Sequence, residues 1–226
     1  MGWKIVNAIN LKLSSETSSS DRLNKFGLDE YELIEYDSPI SKKGDEMVPG
    51  ALEYANNKAK ISITGGDKHK RKLLKNAARW MLGYTLGNRL ANNIKLKITI
   101  SEKLKDTNLY GSVIWDDDNH RPREYDMELC NYLKDSILYR ILAHEIVHIR
   151  QYATGDLKDL ATHANYCKWK NTMVQSEGRG SGSYFDLPWE IEARQQQGII
   201  LGDWKRTYGH KFRQKTGEIY NDGDNL

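Results

Sequence analysis

Apolar and polar residues recur along this chain with two different periods, and each change of period marks an element. From about residue 70 to 91, Leu74, Ala77, Ala78, Met81, Leu82, Leu86 and Leu90 return at helical spacing, while Lys72, Lys75 and Arg79 share another face. That pattern predicts an amphipathic helix, weakened by Gly83 and Gly87. In IKLKITI, Ile94, Leu96, Ile98 and Ile100 alternate with Lys95, Lys97 and Thr99. A period of two is that of a strand with one buried face. Residues 110–115 and 123–129 predict two more strands, joined into a hairpin by the turn-forming DDDNHRP. A helix is expected over about 133–152, and a second, PWEIEARQQQGIIL, to about residue 201. Asp186 is placed to cap that second helix, with Pro188 in its first turn. Between the two helices, residues 153–187 include SEGRGSGS and read as a flexible connection.

These elements divide the chain in three. Residues 1–60, with SSETSSSD, Pro39 and Pro49 and no sustained period, read as an irregular extension; residues 61–201 form the domain; residues 202–226 are a polar tail. No apolar run approaches the roughly 18–20 residues of a membrane span. The amino terminus, MGWKIVNAINLKL, has neither the apolar core nor the cleavage site of a secretory leader, so a cytoplasmic location is expected. Cys130 and Cys167 are too few for a disulfide framework and lack the CxxC spacing of a thiolate zinc site. The net charge of +3 is weak, but residues 61–105 hold eleven Lys or Arg against two acids, and residues 106–130 hold two against seven. A charge run is usually a solvated helix face. The alternative is a phosphate-binding face on the basic helix around 68–79, made by Lys70, Arg71, Lys72, Lys75 and Arg79.

The chemistry is concentrated in HEIVH. His144 and His148 lie one helical turn apart, so both imidazoles can address one ion. At about 100° per residue, Ile137, Ile141, His144 and His148 fall within roughly 60° of arc, and the histidines extend an apolar stripe. Leu138, Leu142 and Ile149 form a second stripe, and Arg150 alone clearly wants solvent, so the helix is expected to be covered around much of its circumference. Glu145 is turned aside from the ligands, where it can act as general base towards a zinc-activated water attacking a peptide carbonyl. Accident would produce an HExxH in roughly one such chain in a hundred.

A hydrolytic zinc site usually has three protein ligands and one open position. Candidates for the third are Glu190, Glu192 and His163. If Trp189, Ala193 and Ile200 face inwards, the two glutamates each lie about 80° from the centre of that face, on opposite flanks. Glu190 has small Ala193 one turn on, whereas Glu192 has bulky Trp189 at the same separation. Angle leaves the three open. Tyr184 could donate to an oxyanion, although a loop tyrosine more often packs its ring. His69, His120 and His210 read as surface residues.

The runs GSVIWDDDNHRPREYDMEL and LAHEIVHIRQYATG, the tryptophan of CKWK, and YFDLPWEIEAR together resemble the SprT-like metallopeptidases encoded by many bacteriophages. The likeness covers roughly residues 70–200. It implies an α+β, zincin-like fold: a small, mostly antiparallel sheet packed on the HExxH helix, with a second helix delivering the last ligand. It also implies that Glu190 is that ligand, beside His144 and His148, that the cofactor is Zn2+ and that the substrate is a protein. Cellular SprT and Spartan proteases, which cut proteins crosslinked to DNA, are similar in HExxH but use a third histidine, a role for which His163 has a compatible spacing. For a phage-encoded chain the location becomes the host cytoplasm or the virion. The hairpin edge beside the HExxH helix is expected to pair with an extended substrate. Alternatives to a soluble endopeptidase are a DNA-associated module, a phage structural protein whose metal site is vestigial or stabilising, and a peptidoglycan peptidase, which no secretion signal or wall-binding repeat favours.

Overall fold

A computed structural model describes residues 7–8, 52–104, 110–115, 121–160, 165–176 and 184–216, with backbone alone at 7–8 and 209–216. The alternating IKLKITI run forms β3 (Lys95–Ser101), an interior strand of a five-stranded sheet. The others are β1 (Asn7–Ala8), β2 (Lys60–Thr64), β4 (Gly111–Ile114) and β5 (Glu124–Cys130), in the order β1-β4-β5-β3-β2. Cross-strand partners Ile61 and Leu96, Leu96 and Tyr125, and Ile98 and Met127 share the inner face. Lys97 and Asp126 pair at 3.4 Å on the outer, solvated face, where such a contact contributes about 0–1 kcal/mol.

The sheet is mixed, which corrects the expectation of a mostly antiparallel one. β4 runs antiparallel to β5, as the hairpin pattern predicts, and β1 antiparallel to β4, but β3 is parallel to both β2 and β5. The physical reason lies in the connection. The amphipathic helix α1 (Lys68–Ala91) joins β2 to β3, the kind of crossover that parallel neighbours need. β4, which runs antiparallel to β5, lies between β3 and β5 in the chain and returns it so that β5 runs parallel to β3. Asp67 caps α1 by accepting from the Lys70 amide at 2.8 Å, and the backbone departs from helical angles at Gly87.

The HEIVH helix, α2 (Asp135–Thr154), packs between α1, the sheet and α3 (Pro188–Thr216). From Ile137 to Ala153 every residue of α2 except Arg150 is buried, as its two apolar stripes predict. Arg150 reaches out to Asp156 and Glu192. Gly155, at φ +80°, ends the helix in the left-handed region that favours glycine.

Four further expectations are corrected. The connection between α2 and α3 contains a three-stranded antiparallel sheet of β6 (Leu157–Asp159), β7 (Tyr166–Trp169) and β8 (Thr172–Gln175). Lys170 and Asn171 turn β7 into β8 with positive φ at both positions, the two-residue hairpin geometry that matches strand twist. The remainder of SEGRGSGS after Ser176 lies outside the described residues. Leu187, rather than Asp186, opens α3: its carbonyl accepts from the amides of Glu190 and Ile191 at 2.9 and 3.0 Å. The same helix continues through residue 201 into the expected tail, because Leu201 and Trp204 are buried and the Trp204 ring lies 4.8 Å from that of Tyr139. Finally, the expected irregular extension contributes β1, a short 3-10 turn at Glu53–Asn56 and the first residue of β2. Among the described residues, no helix is long and apolar enough to cross a membrane.

Candidate metal centre

His144 and His148 stand on consecutive turns of α2, and Glu190 enters from the first turn of α3. Their ligand atoms form a compact buried group able to hold a metal ion. The two Nε2 atoms are 3.0 Å apart; His144 Nε2 is 3.4 Å from Glu190 Oε2, and His148 Nε2 is 3.2 Å from Glu190 Oε1. Nitrogen and oxygen ligands about 2.0–2.1 Å from a tetrahedral ion would stand about 3.3–3.4 Å from one another. The two imidazoles meet different oxygens of the carboxylate, and one ligand atom from each residue falls within 4.8 Å of the others.

The orientation of the rings follows from two glutamines that the sequence reading missed. Gln197 Oε1 accepts from His144 Nδ1 at 3.1 Å, and Gln151 Oε1 accepts from His148 Nδ1 at 2.8 Å. With the proton fixed on Nδ1, each Nε2 turns a lone pair into the group. Two lone pairs at 3.0 Å beside a carboxylate repel unless a proton or a metal cation lies among them. The same demand shows in the titration of the group. Burial opposes charge on His148, but Glu190 and Glu145 outweigh it and push the imidazole up to about 9. Burial would raise Glu190, yet the two histidines hold it well below the usual carboxylate range. His144 is shifted down, chiefly by burial.

Glu145 adjoins this group but is not among the three residues whose atoms could hold an ion. It is fully buried, and neither carboxylate oxygen has a hydrogen-bond partner among the described residues. Burial pushes its carboxyl up to about 8. A buried carboxylate with no donor is costly to keep, and such groups concentrate where chemistry needs a poised acid or base.

The remaining candidates separate by their contacts. Glu192 points away from the histidines: its carboxylate takes Arg150, Gln151 Nε2 at 3.0 Å and Lys170 Nζ at 2.8 Å. That network ties α2 to the β7–β8 turn and to α3, as does the bond from Gln151 Nε2 to the Trp189 carbonyl at 3.0 Å. His163 and His120 lie outside the described residues, His69 is exposed on α1, and His210 lies on the part of α3 described by backbone alone. Tyr184 is more than the packing ring the sequence suggested. Its hydroxyl donates to Glu190 Oε1 at 2.6 Å, and burial, then Glu190, raise its pKa well above the usual phenol value.

On the basic helix, Lys70 pairs with Asp135 at 3.5 Å, Arg71 donates to the Gly66 carbonyl at 2.5 Å, and Arg79 donates to the Ala59 carbonyl at 3.2 Å. Lys72 and Lys75 are exposed. Three of the five cations are thus engaged in holding α1 to its surroundings.

β4 walls the site at Gly111. A Cβ built there would lie 2.5 Å from Ile141 Cγ2 and 3.1 Å from Glu145 Oε1. Gly111→Ala is therefore expected to cost about 1–3 kcal/mol, the usual range for overpacking. Urea unfolding of the variant checks this; a stability equal to that of the parent would mean that β4 does not press on α2.

No family model, curated protein or solved structure matches this chain.

Proposed function

We propose that this chain is a zinc-dependent metallopeptidase that hydrolyses peptide bonds of a protein substrate. The observation that carries the reading is the conjunction of the buried His144, His148 and Glu190 group with the adjacent, hydrogen-bond-free carboxylate of Glu145. Two imidazoles and one carboxylate are the donor set of many catalytic zinc sites, and three protein ligands leave a position open. The likeness of the HEIVH and PWEIEA blocks to SprT-like metallopeptidases supports the same reading.

Zinc bound there supplies Lewis-acid activation of a water molecule and of the scissile carbonyl. The chain's own residues do the rest. Glu145 takes a proton from the attacking water and hands it to the departing amine, so that one water is consumed, the C–N bond breaks, and a carboxylate and an amine leave. Gln151 and Gln197 hold the imidazoles in the tautomer that faces the ion. Tyr184 fixes the Glu190 carboxylate through its hydrogen bond.

Casein or a mixed fluorogenic peptide pool, incubated with zinc-replete protein, is expected to be cut. Phenanthroline should stop the reaction, and stoichiometric zinc should restore it. Intact casein and peptides after prolonged incubation with the zinc-loaded Asn7→Pro/Ala8→Pro variant described below would count against the peptidase reading.

A further inference from the structure

The groups a peptidase needs are closed off from solvent. His144 is 3% exposed, His148 and Glu190 1%, and Glu145 0%. β4 meets Glu145 at Gly111, where an added Cβ would lie 3.1 Å from Glu145 Oε1. On the flank away from β5, β4 does not present the open edge expected from the hairpin. Asn7 stands opposite Val113 and Ala8 opposite Ser112, in an antiparallel pairing that places β1 outermost among the described strands of the sheet. Ser112 directly follows Gly111, so the paired stretch begins one residue from the contact with Glu145.

One strand edge carries one row of unpaired N–H and C=O groups and accepts one partner. An extended polypeptide can therefore align on β4 beside Glu145 only where β1 is absent. A two-residue pairing is weak in itself, since even a whole isolated hairpin is marginal in water. Its tether to the same chain offsets that weakness, because a linked segment acts at an effective concentration of up to about millimolar. Such a competitor is strong enough to exclude a dilute peptide and weak enough to be displaced.

We propose that β1 is a built-in substrate mimic: it occupies the β4 edge beside Glu145 and keeps extended polypeptides out until it is displaced or removed. What is excluded rests on the peptidase reading; the competition for the edge does not.

The test uses the full-length, zinc-replete chain carrying Glu145→Gln, so that peptides are bound without being cut. The probe is a fluorescent synthetic peptide of residues 3–12, WKIVNAINLK, followed by anisotropy. Adding Asn7→Pro/Ala8→Pro, which removes two backbone donors from β1, should tighten peptide binding at least tenfold. Equal affinity with and without the prolines, or no binding by either chain, overturns the proposal. A second variant does not depend on how the prolines are tolerated. Ala8→Cys/Ser112→Cys places thiols at facing positions of the pair; oxidised, it should bind the peptide at least tenfold more weakly than after reduction, and equal binding in both states overturns the proposal. Casein cleavage, read in parallel on chains that retain Glu145, separates the two ideas. Proline-enhanced peptide binding without proteolysis keeps the competition and removes the peptidase. Proteolysis with unchanged peptide binding keeps the peptidase and removes the competition.

Discussion

Replacing Glu145 with glutamine is expected to lower turnover about 10²- to 10⁴-fold, the usual contribution of a general base, while leaving the metal content unchanged. The separation of the two effects is what makes the substitution informative. Glu145 stands beside His144 in sequence, but the group that can hold an ion is His144, His148 and Glu190. Glutamine keeps the shape of the side chain and loses the carboxylate that would accept the proton in the proposed reaction. The fold should tolerate the change, because neither oxygen of Glu145 has a hydrogen bond to lose and burial already disfavours its charge. Turnover on casein and zinc content by atomic emission, measured on the same preparation, check both halves. Loss of zinc together with activity would make Glu145 a ligand or a structural support, and undiminished activity would remove it from the chemistry.

Glu190→Ala should have the largest effect on the site as a whole. The carboxylate meets both imidazoles and the Tyr184 hydroxyl in a buried setting, at 3.4, 3.2 and 2.6 Å. Removing one partner from a buried charged group costs about 3–5 kcal/mol. In a chain of this size that corresponds to roughly 6–20 °C in Tm. Zinc affinity should fall by more than the roughly 10- to 100-fold typical of an outer partner, since a donor itself is lost. Competition with a chromophoric chelator measures the affinity and calorimetry the stability. Glu192→Ala is the control: its carboxylate belongs to Arg150, Lys170 and Gln151, and zinc affinity should change far less. A chain that loses its zinc through Glu192→Ala and keeps it through Glu190→Ala would reverse the assignment.

What could be read from the sequence was local. The spacing of His144 and His148 is a property of one helix, and the apolar stripes around them anticipated the burial of α2. The strand pattern of IKLKITI and the β4–β5 hairpin were equally plain, because period two over several residues needs no distant partner. The choice between Glu190 and Glu192 was not local. Both flank the inner face of α3 by similar angles, and it is Arg150 and Lys170, brought from α2 and the β7–β8 turn, that draw Glu192 away.

Gln151 and Gln197 carried a faint signal. The first lies three residues after His148, the second seven after Glu190 on the same helix face, yet neither residue type announces a role without its histidine in view. The strands of the second sheet are three or four residues long, too short to establish a period, and their Lys170–Asn171 turn lacks the glycine that usually marks such geometry. The carboxy-terminal part of α3 was overlooked for the opposite reason. Leu201, Trp204 and Tyr208 recur at helical spacing, but the surrounding polar residues mask a pattern whose partners are distant in sequence, Tyr139 against Trp204 and Tyr84 donating to Asp203. The parallel pairing of β3 became visible only with the placement of β2, a strand at the boundary of what had read as an irregular extension.

X-ray absorption at the zinc edge, on the purified full chain with its metal content quantified, addresses the central claim most directly. The expected result is one zinc per chain, two imidazole nitrogens at about 2.0–2.1 Å and a carboxylate oxygen at about 2.0–2.2 Å, with the imidazole signature lost in His144→Ala/His148→Ala. A metal-replete preparation that retains no transition metal, or a zinc held by sulfur at about 2.3 Å, would contradict it.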